Sequence, residues 1–148
     1  MAKTISATKR AYLAGLLDGD GSIYVRLKPN SDYKYGFQIS PHVVFFQSAK
    51  EAASFKKVSK ILNYGYVRKR KDGILEHNIS KKKEIVEFLN LVKPYLILKR
   101  RQAELMLEIL EKKERVKNEK DVLRLANLIE RFRKLNYSKK RKKHNLSP

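Results

Sequence analysis

The chain has 148 residues, enough for one domain with a real core, and it carries 35 Lys and Arg against 15 Asp and Glu, a formal net charge of +20. That excess favours a polyanionic partner, and nucleic acid fits better than a membrane because no apolar stretch approaches the roughly 20 residues needed to span and no signal-peptide pattern opens the chain. The absence of cysteine removes disulfides, zinc fingers and thiol chemistry, and His42, His77 and His144 are too scattered for a histidine metal site, so any metal must rest on carboxylates.

Ser6 or Thr8 is positioned to cap a first helix in which Ala11, Leu13, Ala14, Leu16 and Leu17 cover most of the circumference, the mark of a buried helix. Ala14, Gly15 and Gly19 are small enough for close approach of a second helix. The helix ends at Asp18-Gly19-Asp20-Gly21. A helix C-terminus already carries about half a negative charge, so two carboxylates there oppose stability and make sense beside a divalent cation with hard oxygen ligands.

From Ser22 the period becomes two, with Ile23, Val25 and Leu27 on one face and Ser22, Tyr24, Arg26 and Lys28 on the other. A turn-rich loop over 29–34 holds Asn30 and Tyr33, and a second strand follows over 37–46, with Phe37, Ile39, Val43 and Phe45 facing inward and Gln38, Ser40, His42 and Val44 outward. Pro41 points to an edge position or a bulge. A helix over 50–62 shows apolar spacing in Ala52, Phe55, Val58 and Leu62, and is closed by 63–65. A second hairpin, 66–71 and 74–79, turns at Asp72-Gly73 and carries Arg68 and Arg70 on one face, with Glu76 and Asn78 on its return strand. Helices follow over 82–92, stopped by Pro94, over 100–112 with Ala103, Met106, Leu107 and Leu110 inward, and over 120–135 with Val122, Leu125, Leu128, Ile129 and Phe132 inward. The basic stretch Ser138 to His144 is too polar to pack.

This order, helix and two strands twice over and then three helices, predicts an α+β domain with an αββαββα core, helices on one face of an antiparallel sheet and the other face open. The domain runs over 1–137 and a basic tail over 138–148. The open face collects basic, amide and aromatic side chains that can enter the major groove, which admits a two-stranded ribbon and in which Arg and Gln read guanine and adenine edges. The candidate DNA-facing residues are Ser22, Tyr24, Arg26, Lys28, Asn30, Tyr33, Gln38, Ser40, His42, Val44, Arg68, Arg70, Glu76 and Asn78.

The run Leu13 to Gly21, L-A-G-L-L-D-G-D-G, resembles the signature of the LAGLIDADG homing endonucleases, and the resemblance extends through Lys28-Pro29-Asn30, Gly65 to Arg68 and Pro94 to Ala103. It is nearest to the single-motif, homodimeric branch whose best-known members are encoded in algal chloroplast introns. One motif copy implies two subunits pairing their motif helices, with Ala11, Ala14, Gly15 and Asp18 at the interface and both sheets lying along double-stranded DNA in a saddle. The resemblance further implies that Asp20 binds the catalytic divalent ion beside the carbonyl of Gly19, that Gln47 lies near the scissile phosphate, and that Lys99 organises the catalytic water. The implied cofactor is Mg2+, with Mn2+ or Ca2+ able to stand in for binding. The function implied is a site-specific double-strand endonuclease cutting a long pseudo-palindromic site and promoting intron mobility, with no small-molecule substrate and no membrane partner. The competing reading is a splicing helper or regulator on the same scaffold without cleavage. Where relatives carry an Arg shortly after the glutamine, this chain reads Ser48-Ala49-Lys50-Glu51, and Lys50 is the residue placed to supply that charge.

Overall fold

The computed structural model describes residues 4–136, so the basic tail and the last residue of the expected domain lie outside the described residues. The order is α1 (Ala7–Asp20), β1 (Ser22–Pro29), β2 (Phe37–Ser48), a 3-10 turn η1 (Ala49–Glu51), α2 (Ala52–Leu62), β3 (Tyr66–Lys69), β4 (Ile74–Ile79), α3 (Lys82–Val92), a second 3-10 turn η2 (Lys93–Tyr95), α4 (Arg100–Glu114) and α5 (Glu119–Leu135). The expected element order is observed. Ser6 rather than Thr8 caps α1, its hydroxyl accepting from the Lys9 N–H at 3.3 Å. The second helix starts later than its apolar spacing suggested, because the Ser48 hydroxyl accepts from the Lys50 N–H and tightens the entry into a 3-10 turn.

The strands form one antiparallel sheet in the order β1-β2-β4-β3. β2 is therefore a central strand, yet Pro41 itself lies on a one-sided stretch of it, an edge-like position as its residue type predicts. It is tolerated because it pairs with Val25 on β1 while β4 begins to pair with β2 only at Val43, so at Pro41 the strand has a single neighbour. The β3–β4 turn closes as its sequence predicts. The Asp72 carboxylate accepts from the Ile74 N–H at 3.1 Å and Gly73 takes φ +83. The ladder of β3 stops at Lys69, so Arg70 and Lys71 belong to the turn rather than to the strand. Gly65 enters β3 at φ +73, and a Cβ there would collide with the carbonyl of Asn78 on the neighbouring strand.

All five helices serve one face of the sheet. Ile23, Val25, Ile39, Val43, Phe45, Leu75 and Ile79 meet Leu13 and Leu17 of α1, Phe55 and Leu62 of α2, Ile85, Phe88, Leu89 and Val92 of α3, and the inner sides of α4 and α5 in one core. On α4 the inner stripe includes Leu105 and Ile109 as well as Ala103, Met106 and Leu110, whereas Leu107 is only partly covered. Val122 at the start of α5 is likewise half-buried. The end of α5 is pinned to β1 by Asn136, whose side-chain amide donates to the Ile23 carbonyl at 2.7 Å. Among the described residues no helix is long and apolar enough to cross a membrane.

His77 of β4 projects into this core. Its Nε2 is hydrogen-bonded to the Tyr64 carbonyl and its Nδ1 lies 2.8 Å from the Ser59 hydroxyl. Since a carbonyl only accepts, Nε2 carries the proton and Nδ1 takes the serine hydrogen, leaving the ring neutral. Burial pushes the pKa of His77 below the ordinary imidazole value, as it does that of His42 on the opposite face. A depressed folded-state pKa means that the unfolded chain takes up protons first as pH falls. This stabilising contribution is complete above the unfolded value of about 6.5 and is lost as pH falls through the folded value. The thermal midpoint is therefore expected to drop between about pH 7 and about pH 5, and to drop less in His77→Gln. Equal slopes for the two proteins would rule out His77 as a source.

Candidate active site and nucleic-acid interface

The end of α1 is built by long-range contacts to the segment before α4. Asp18 turns its carboxylate inward, one oxygen accepting from the N–H groups of Ile97 and Leu98 at 2.8 and 3.1 Å and the other from that of Lys99 at 3.0 Å. Three backbone donors in the turn leading into α4 are thus satisfied by one anion near the N-terminus of that helix, where the dipole also favours it. The Lys99 ammonium completes the loop by donating to the Asp18 carbonyl at 2.8 Å. A cation is thus fixed against the negative end of α1, where it offsets both the dipole and the nearby carboxylates.

Beyond this clasp Gly19 and Asp20 stand exposed. The Leu17 carbonyl accepts from the Gly21 N–H at 3.0 Å, closing the helix, and the chain passes directly into β1. Ser22, the first residue of β1, pairs with Val44, so the end of α1 and the last residues of β2, Gln47 among them, lie at the same end of the sheet. Gln47 is exposed at the end of β2 with its amide oxygen accepting from the Ser48 N–H at 2.9 Å. The structure thus brings Asp20, Gly19, Lys99 and Gln47 to one end of the sheet. Lys50 and Glu51 follow on η1, both exposed.

Pairing places Ser22, Tyr24, Arg26, Lys28, Gln38, Ser40, His42, Val44, Arg68, Glu76 and Asn78 on the sheet face away from the helices. Three of these are not free to touch DNA. Val44 is only 1% exposed, walled in by its cross-strand neighbours Ser22 and Asn78, so the expectation that it contacts bases is corrected. Glu76 and Asn78 are buried as well, and they act as a floor. Glu76 receives Arg68 Nη2 at 3.0 Å and Arg70 Nη1 at 3.5 Å, while Arg70 also meets Asp72 at 2.6 Å. The two arginines are oriented by this shared carboxylate rather than left as free cations. Asn30 and Tyr33 sit in the β1–β2 loop, where the Tyr33 N–H donates to the Asn30 carbonyl and the Asn30 side chain accepts from the Asp32 N–H at 3.0 Å.

The motif helix departs from an all-round buried cylinder. Leu13, Ala14 and Leu17 face the core, and Ala14, at 0% exposure, cannot form a contact surface for another chain. The outward side presents Ala11, Tyr12 at 51% exposure, Gly15 and Gly19. At both glycines a built Cβ would meet nothing within 4 Å. Asp18, the remaining expected interface residue, spends its carboxylate within its own chain. Sequence reasoning missed Ile97 and Leu98, which are 84% and 72% exposed and adjoin this helix end through Asp18. Nothing local in the sequence marks them, because their place beside α1 is set by backbone bonds to a carboxylate about eighty positions away.

A cationic open sheet with a carboxylate-ended helix at its margin is the frame of a protein that acts on nucleic acid. A LAGLIDADG endonuclease family model matches residues 13–110. The chain is 36% identical over 132 residues to DNA endonuclease I-CreI of Chlamydomonas reinhardtii, covering 88% of this chain and 80% of the relative, and 35% identical over 133 residues to DNA endonuclease I-CvuI of Chlorella vulgaris, covering 90% and 83%. A solved complex of I-CvuI with the I-CreI target in the presence of 2 mM Mg superposes with a TM-score of 0.83 at 34% identity, covering 91% of this chain and 86% of that one. The archaeal intron-encoded endonuclease I-Vdi141I shares the fold, with a TM-score of 0.80 at 20% identity over 93% of this chain and 89% of its own. The chain belongs to the LAGLIDADG endonuclease family.

Proposed function

We propose that this chain is a site-specific double-strand DNA endonuclease that works as a homodimer with Mg2+, binds a long pseudo-palindromic site across its open sheets, and promotes the mobility of the intron or intervening sequence that encodes it. The observation that carries this reading is the exposed Asp20 carboxylate at the end of the motif helix, two residues beyond the Asp18 carbonyl that anchors Lys99 and at the same end of the cationic sheet as Gln47.

The donor set fits a hard divalent ion shared with substrate. Among the described residues no three His, Cys, Asp or Glu side chains cluster, so one chain offers one carboxylate and the Gly19 carbonyl. Mg2+ is commonly held by one or two carboxylates together with phosphate oxygens, and the missing donors are those that DNA and a second Asp20 supply. Bound there, it provides Lewis-acid stabilisation of the phosphate and a water of lowered pKa. The chain's own residues do the rest. Asp20 fixes position, and Lys99, anchored on the Asp18 carbonyl, contributes fixed positive charge where negative charge develops. Gln47 offers a neutral donor and acceptor that orients water without adding charge.

The homodimer rests on the outward stripe of Ala11, Tyr12, Gly15 and Gly19 together with Ile97 and Leu98. Small residues permit close helix approach, and the aliphatic flank supplies apolar area. Two such sheets side by side present Arg26, Lys28, Gln38, Arg68 and Arg70 along successive major-groove faces.

Incubation of the purified protein with the intronless allele of its host gene, in Mg2+ or in EDTA, tests the reading. Linear product at one position in Mg2+ alone is expected. Tight duplex binding with no cutting at any site would instead support the splicing-helper or regulator alternative.

A further inference from the structure

The sheet face contains a hydrogen-bond chain whose polarity is fixed from beneath. His42 is held at both ring nitrogens, with Nδ1 3.1 Å from Asn78 Oδ1 and Nε2 3.0 Å from Ser40 Oγ. An amide oxygen only accepts, so Nδ1 carries the ring proton, and the neutral ring then presents a bare lone pair at Nε2. Ser40 must give its single hydroxyl proton to that lone pair. What remains of Ser40 towards solvent is acceptor capacity alone.

The ring cannot easily turn to reverse this order. It stacks on Tyr24, with centroids 4.8 Å apart and planes 20° from parallel, and the Arg26 guanidinium lies 5.4 Å from the Tyr24 centroid. Asn78 is buried at the β2–β4 ladder opposite Val44. The charged groups facing His42 are Arg26 and Lys28 from β1 and Glu76 from β4. Burial and the two cations resist protonation, and the opposing Glu76 is engaged with Arg68 and Arg70, so the imidazole lies below its ordinary value and is neutral at physiological pH.

We propose that His42 is a positioning residue that makes Ser40 an obligate hydrogen-bond acceptor towards DNA, so that the base pair read by Ser40 is selected for a major-groove donor, adenine N6 or cytosine N4. The proposal rests on the endonuclease reading and refines its specificity. In the major groove guanine and the thymine carbonyl offer only acceptors, and an acceptor facing an acceptor leaves both unpaired. The discrimination expected from one such hydrogen bond is about tenfold.

The test selects cleavable sites from randomised duplexes with the wild-type chain, then identifies the base pair at which Ser40→Ala loses preference. At that pair the wild-type protein is expected to favour adenine or cytosine on the contacted strand. In His42→Ala the ratio of cleavage rates on favoured and disfavoured bases, read within that protein, should fall from about tenfold towards unity, because the freed hydroxyl then donates as readily as it accepts. Long-range 1H–15N spectra of the wild-type protein supply a readout independent of cleavage, with His42 expected to be protonated at Nδ1 and bare at Nε2. Preference for guanine or thymine, an unchanged ratio in His42→Ala, or a proton on Nε2 would each overturn the proposal while leaving the endonuclease reading intact. A wild-type chain that cuts no duplex would overturn both.

Discussion

Asp20→Asn is expected to lower DNA cleavage by orders of magnitude while duplex binding stays near the wild-type level. The substitution is nearly isosteric and falls on an exposed side chain at a helix end, so no core contact changes and the Asp18 clasp on Ile97, Leu98 and Lys99 is untouched. It removes one unit of negative charge from the only carboxylate that the motif helix turns outward. An amide oxygen is a weak ligand for a hard divalent ion, so the loss falls on the chemical step and not on recognition by the sheet. Gel-shift titration beside cleavage kinetics separates the two. Full cutting by Asp20→Asn would remove Asp20 from the site.

The second large effect is expected at Gly15. A Cβ built there meets nothing within 4 Å, so the isolated fold accommodates Gly15→Leu, and helix propensity even improves by up to about 1 kcal/mol. In a dimer packed through the outward face of α1 the new side chain occurs twice at the closest approach of two helices. Overpacking of this kind costs about 1–3 kcal/mol at each site. Sedimentation should therefore show a wild-type dimer and a Gly15→Leu chain shifted strongly to monomer, with circular dichroism unchanged. A wild-type chain that is monomeric both alone and on DNA would remove the dimer from the account.

These two residues also show how far the sequence carries. The motif run made Asp20 conspicuous because stability does not explain a second carboxylate at a helix C-terminus, and the spacing of glycines marked the helix as a contact element. The period-two alternation assigned Ser22, Tyr24, Arg26 and Lys28 to the face that the register confirms. Apolar periodicity does not distinguish the side of α1 covered by its own chain, where Ala14 lies, from the bare side that carries Gly15. Alternation likewise reports which face a strand residue joins but not what its neighbours cover, so Val44 was expected in the groove and lies beneath it. The Asp18 clasp joins residues about eighty positions apart, and the pairing of Arg68 and Arg70 with Glu76 requires the hairpin register. Neither leaves a local signal. The same limit hid the Ser40–His42–Asn78 chain, since two of its members are sequence neighbours and the third, which sets its direction, comes from β4.

In the proposed function one cleavage centre is assembled from two copies of this chain, each bringing one Asp20. A mixed dimer of a wild-type subunit with a differently tagged Asp20→Asn subunit, purified through both tags and assayed with each DNA strand labelled separately, measures this most directly. The mixed dimer is expected to bind the site but to make no double-strand breaks, yielding at most a nick in one strand. Double-strand breaks by the mixed dimer at the wild-type rate would contradict the shared centre.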